Sequence, residues 1–143
     1  MNEIEICTIF AEEVAGYTMA GTSATGVPMM KIPTPDGKGL AMEVTKLTTS
    51  LATLFNEMQK FCKTPDPLNK WIVFGYTLSY SCTWGHENFI CDIQPVLTGD
   101  AGKDCDGKLY GSDTMICADT MPIAIMTACI EAKRRLSRRM RGG

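Results

Sequence analysis

The clearest pattern in the chain is an alternation. From Ile72 every second residue is apolar or aromatic (Ile72, Phe74, Tyr76, Leu78, Tyr80, Cys82, Trp84), while Thr77, Ser79, Ser81 and Thr83 between them are small and polar. A period of two predicts a strand with one buried face. Gly85-His86-Glu87-Asn88 interrupts it, and Phe89, Cys91, Ile93 and Leu97 resume it. Folding about His86 and Glu87 sets Trp84 against Phe89, Cys82 against Cys91 and Tyr80 against Ile93, with both apolar sets on one face. The segment from Trp71 to Leu97 therefore predicts a long antiparallel hairpin, with the rest of the chain arranged around it.

Elsewhere the spacing is helical. Ile6, Ile9, Phe10, Glu13 and Val14 put three or four apolar groups on one stripe over Glu3 to Tyr17, with early acids suiting the helix dipole and Gly16 as the stop. Residues 18 to 39 are rich in Gly, Thr, Ser and Pro, and Pro33-Thr34-Pro35-Asp36-Gly37 is a turn signal. That stretch predicts a loop or arm, with Val27 to Ile32 a candidate short edge strand that Pro28 argues against. Its Met19, Met29 and Met30 offer an adaptable contact. Leu40, Val44, Leu47, Leu51, Leu54, Phe55 and Met58 predict a helix from Leu40 to Phe61, with Glu43, Lys46, Asn56, Glu57 and Lys60 on its polar side. A Thr-Pro-Asp-Pro turn at residues 64 to 67 ends it.

After the hairpin, Thr98 to Gly107 reads as a Gly- and Asp-rich loop. A third strand follows from about Lys108 to Ala118, with Leu109, Met115 and Cys117 on one face and Tyr110 and Ile116 on the other. The closing helix opens at Asp119-Thr120 with Pro122 in its first turn, and turns Ile123, Ala124, Met126, Thr127, Ala128 and Ile130 inward. The expected fold class is α+β: an antiparallel three-stranded sheet, made of the long hairpin plus one strand, covered by helices in a layered α/β/α arrangement. At 143 residues a single domain over the whole chain, 1–143, is expected.

Charge changes the picture at one end. Lys133, Arg134, Arg135, Arg138, Arg139 and Arg141 are six of the fourteen basic residues, so residues 1 to 132 carry sixteen acids against eight bases. Arg134, Arg135, Arg138, Arg139 and Arg141 form the candidate interaction surface. One chain's basic end docking on another's acidic body predicts a homo-oligomer, most simply a dimer. Phosphate neutralisation by the same arginines is the nucleic-acid alternative, against which the acidic body argues. The chain has no apolar run of membrane-spanning length and no basic-then-apolar leader, which predicts a cytosolic setting without membrane contact. Seven cysteines at irregular spacing read there as reduced, mostly buried hydrophobes, although Cys82 and Cys91, directly opposed, are placed to form a disulfide on oxidation.

Candidate chemistry is thin. Cys82, His86, Cys91 and Cys105 match no strong zinc pattern, and the better reading is a turn histidine beside core cysteines. Asp104, Asp106 and Gly107 have calcium-loop spacing, but Gly102 stands where the first ligand belongs, so residues 100 to 113 read as an acidic surface loop. No Ser or Cys has an evident base partner, and the Gly-rich residues 16 to 26 lack a phosphate-loop lysine. The expectation is a protein that is not an enzyme and that carries no cofactor and no metal.

Three stretches carry a resemblance. Ala11-Glu12-Glu13-Val14-Ala15-Gly16-Tyr17, the segment from Leu40 preceded by Pro35-Asp36-Gly37, and Cys117-Ala118-Asp119-Thr120-Met121-Pro122-Ile123-Ala124-Ile125 are similar, in the same order, to the phage ABA sandwich domain family. The chain departs from that family in its longer loop at 98 to 107 and its Arg-rich end. The resemblance implies helix layers about a sheet and a bacteriophage or prophage origin, and it supplies no catalytic residues. The function expected from it is a phage accessory protein that binds a host or defence-related partner in the host cytoplasm. The alternative is a small nucleic-acid or nucleotide-ligand binder using the Arg-rich end.

Overall fold

The computed structural model describes residues 1–65, 72–83, 86–97 and 114–142. The chain opens with α1 (Glu3–Ile9), capped by Asn2, whose side chain accepts from the Glu5 amide at 2.8 Å. α1 runs on into a π-helical turn, Phe10–Val14, marked by the Ala15 N–H donating to the Phe10 carbonyl at 2.9 Å. Gly16, at φ +72°, ends the helix where the sequence places the stop.

Residues 18 to 43 correct the sequence reading. They form an antiparallel sheet of β1 (Thr18–Thr22), β2 (Pro28–Ile32) and β3 (Leu40–Glu43), in the order β1-β2-β3. The expected loop is thus two strands, and Val27 to Ile32 becomes a central strand instead of an edge. Pro28 is tolerated because it stands at the first position, where its missing N–H breaks no interior rung. Met30 is fully buried, so it belongs to the core and is no surface contact. The helix expected from Leu40 is divided. Leu40 to Glu43 pair with β2, a short α2 (Lys46–Thr49) follows, and Ser50, at φ −111° and ψ 83°, separates it from α3 (Leu51–Lys63).

The turn signal at Pro33 to Gly37 is realised between β2 and β3. The Gly37 N–H donates to the Thr34 carbonyl and the Gly39 N–H to Thr34 Oγ1, both at 3.0 Å. Gly39 sits at φ +76°, and an added Cβ would lie 2.6 Å from Lys31 Cε. Gly39→Ala is expected to lower stability by roughly 1–2 kcal/mol, most of it from the left-handed backbone, because the lysine stem can swing away. A urea midpoint equal to that of the parent would contradict this.

The second sheet is the predicted one. β4 (Ile72–Thr83) and β5 (His86–Leu97) form the long antiparallel hairpin, and β6 (Thr114–Ala118) adds to β5, giving the order β4-β5-β6. The register differs from the expected one. Pairing closes at Thr83↔His86, so Tyr80 faces Phe89, Leu78 faces Cys91 and Cys82 faces Glu87. Cys82 and Cys91 are therefore not opposed, and the disulfide geometry suggested by the sequence does not arise. Trp71, Trp84, the 98-to-107 loop and the first part of the expected third strand lie outside the described residues. On β6, Thr114 is buried and Ile116 and Ala118 pack on the core, while Met115 and Cys117 are exposed.

The fold is α+β. Its buried side chains form one continuous cluster, with the closing helix α4 (Met121–Gly142) at its centre. α4 packs on β5 and β6, on α3, on α1 and on the π-helical turn. This explains why Ile125, Cys129, Ala132 and Leu136 are buried beside the expected Ala124, Met126, Ala128 and Ile130. α3 packs on β4, stacking Phe61 on Phe74 and setting Phe55 edge-on to Tyr76.

Candidate functional site

The five arginines chosen from the sequence all lie on α4, and three of them are tied to acids of the same chain. Arg134 reaches the π-helical turn, its Nη2 standing 3.1 Å from Glu13 Oε1 and its Nε 3.3 Å from Glu13 Oε2. Glu13 thereby holds the guanidinium still more firmly protonated. Arg135 and Arg138 both reach Glu131 Oε1, each at 3.2 Å. Arg139 and Arg141 continue the helix. These pairs are solvent-accessible and worth about 0–1 kcal/mol each. They organise the basic end as a charged ridge of both signs, with a groove of about 470 Å³ lined by Glu12, Glu13, Arg134 and Arg138.

Glu13 is held twice, since the neighbouring Lys133 ammonium donates to its backbone carbonyl. A π-helical turn leaves such carbonyls without a helical partner, and here a lysine from the far end of the chain supplies one. Lys133 also lines a cavity of about 340 Å³ where the π-helical turn, α3, β4 and α4 meet. Val14, Ala15, Phe61 and Phe74 form its apolar part, and Glu57 and Lys60 complete the polar part.

Glu57 is a correction to the sequence reading, which put it on the outer side of its helix. The residue is only 7% exposed. Lys60 Nζ stands 3.3 Å from its Oε1. Burial first, and then the influence of the Glu57 carboxylate, push the Tyr17 phenol well above its ordinary value. A second, more polar cavity of about 390 Å³ lies on the Tyr17 side, lined also by Thr53, Asn56 and Lys63. One helical step, Glu57 to Lys60, thus borders two cavities.

The described cysteines divide into two sets. Cys7, Cys62, Cys91 and Cys129 are buried, while Cys82 and Cys117 are exposed. Burial raises the Cys7 thiol to about 11 and those of Cys62 and Cys91 to about 12, and lifts that of Cys129 well above its ordinary value. Repulsion from a charged Cys62 adds to the rise at Cys91, and repulsion from charged Cys62 and Cys91 adds to that at Cys129. Among the described residues no three His, Cys, Asp or Glu side chains come together as a metal site. Cys105 and the acidic 100-to-113 segment lie outside them.

An apolar surface crosses the outer half of the hairpin. Tyr76 is 37% exposed, although Phe55 packs on it and Gln59 Nε2 donates to its hydroxyl at 3.3 Å. Tyr80 is 51% exposed, with its ring centroid 5.0 Å from that of Phe89. Leu51, at the start of α3, is also exposed. Tyr80 is therefore not the core residue that the alternation made it.

Among the described residues no helix is long and apolar enough to cross a membrane. No family model, no curated protein and no solved structure matches the chain.

Proposed function

We propose that this chain is a non-enzymatic binding protein that engages another protein through exposed apolar side chains, Tyr76 and Tyr80 of β4 and Leu51 of α3. Large aromatic side chains at a half-open surface give the contact area that anchors protein interfaces. The exposure of Tyr76 and Tyr80 on the same face of β4 as the buried Ile72 and Phe74 carries this reading. The buried thiols support the non-enzymatic part, because burial keeps them protonated, the opposite of an activated nucleophile. The resemblance to the phage ABA sandwich family extends the proposal: a phage accessory protein working in the host cytoplasm on a host or defence-related partner.

The nucleic-acid reading is weakened by the ion pairs of Arg134, Arg135 and Arg138, which would have to be exchanged for phosphate contacts. A homodimer joined by the basic end meets the same competition. Affinity capture from bacterial lysate with the parent and with Tyr80→Asp is the test. A protein retained by the parent and lost by the folded variant is expected. Identical captures, or a salt-dependent gel shift of nucleic acid in place of any protein, would overturn the proposal.

A further inference from the structure

The cavity between the π-helical turn and α3 has a distribution of charge that its fold does not require. Phe61 and Phe74 line it as a stacked pair, with ring centroids 4.9 Å apart and planes at 16°. Its size, about 340 Å³, falls at the lower end of small-molecule pockets, which run roughly 300–1,000 Å³. Two lysines line it. Lys60 is matched by the buried Glu57 carboxylate. Lys133 is matched by a neutral backbone carbonyl, that of Glu13, and forms no ion pair among the described residues. The Glu13 carboxylate, which would be its natural partner, is taken by Arg134. The lining therefore keeps one positive charge beside a flat aromatic wall.

We infer that this cavity binds a small organic monoanion with a flat apolar body, of the arylalkanoate class, its carboxylate on Lys133 and its ring against Phe61 and Phe74. An ammonium already held by a carbonyl is pre-oriented, so little side-chain freedom remains to be lost on binding. A carboxylate would make a charge-assisted hydrogen bond there, partly screened from water by the aromatic walls. The ring adds apolar contact that an inorganic anion lacks. Because all four elements of the site converge only in the folded state, such a ligand would also raise thermal stability. The site shares no residue with Leu51, Tyr76 and Tyr80, so this inference and the protein-binding proposal stand or fall separately.

Phenylacetate is a suitable probe, with phenylacetamide and 2-phenylethylammonium as neutral and cationic controls of the same shape. Each is titrated into the full chain labelled with nitrogen-15, and the amide shifts are mapped. Saturable shifts centred on Val14, Phe61, Phe74 and Lys133 are expected for phenylacetate, with both controls at least tenfold weaker. Lys133→Met, which keeps the aliphatic stem, should weaken phenylacetate at least tenfold with little change in melting temperature. Three results would overturn the inference: no saturable shift with phenylacetate, shifts centred elsewhere, or equal binding of acid and amide. Equal binding to a folded Lys133→Met would do the same. If that variant melts early, the comparison of acid with amide on the parent chain decides alone.

Discussion

Ile93→Asp will prevent the protein from folding, and Tyr80→Asp will not. Ile93 is fully buried at the middle of the central strand, paired on one side with Tyr76 and on the other with Thr114. Replacing it removes a buried aliphatic side chain and puts an ionised carboxylate among apolar neighbours. Together these exceed about 4–5 kcal/mol, enough to cancel the lower end of the 5–15 kcal/mol by which small domains are stable. Tyr80 sits on the same face of the hairpin but is half exposed, so an aspartate there stays hydrated and loses chiefly the ring contact with Phe89, about 1 kcal/mol. Circular dichroism and urea unfolding of the two variants make the comparison. A folded Ile93→Asp, or an unfolded Tyr80→Asp, would sink the assignment of the buried and open halves of this face.

The alternation in the sequence weighted Tyr80 and Ile93 equally, and lengths explain why it could not separate them. A strand rises about 3.3 Å per residue and a helix 1.5 Å, so the twelve residues of β4 run roughly 40 Å while the thirteen of α3 run roughly 20 Å. The helix reaches Phe74 and Tyr76 and then ends. Period two reports which face a side chain takes, not how far along that face a cover extends. The register error has a related origin. Closing the hairpin at Thr83↔His86 moves every β4 residue four positions along β5 from the expected partner, and an even shift keeps the same residues on the same face. Pattern alone leaves such shifts degenerate.

The first sheet was illegible for a different reason. Its strands are four or five residues long, rich in Met, and only Met30 among them is fully buried, so there was little alternation to see. The helical spacing through Leu40, Val44 and Leu47 was real but ambiguous. Val44 and Leu47 are fully buried, whereas Leu40 is largely exposed and pairs with Ile32. The cavity could not have been found by motif, because Val14, Phe61, Phe74 and Lys133 come from four elements with no local signature. The one available signal was Lys133 beside Arg134, two cations that divide the backbone and side chain of a single glutamate.

The largest effect of solution conditions will be an early alkaline unfolding. Cys62 and Cys91 are raised from the ordinary thiol value of 9.0 to about 12, Cys7 to about 11, and Cys129 is raised well above 9.0 too. In the unfolded chain these thiols ionise near the ordinary value; in the folded protein they stay protonated. Between those values the unfolded state binds fewer protons, so stability must fall as pH rises. Their contribution is complete below about pH 9 and is lost progressively towards pH 11 to 12. Each thiol is worth about 1.4 kcal/mol per pH unit over that range, and four acting together give a slope on the order of 5 kcal/mol per unit. Two such units are comparable to the 5–15 kcal/mol by which small domains are stable. Urea midpoints measured from pH 7 to 11 should therefore be flat to about pH 9 and then collapse. Labelling with iodoacetamide below pH 9 should modify Cys82 and Cys117 readily, and Cys7, Cys62, Cys91 and Cys129 only on unfolding. A urea midpoint still unchanged at pH 10.5, or rapid native-state labelling of Cys62, Cys91 and Cys129, would show that the thiol core is open to water.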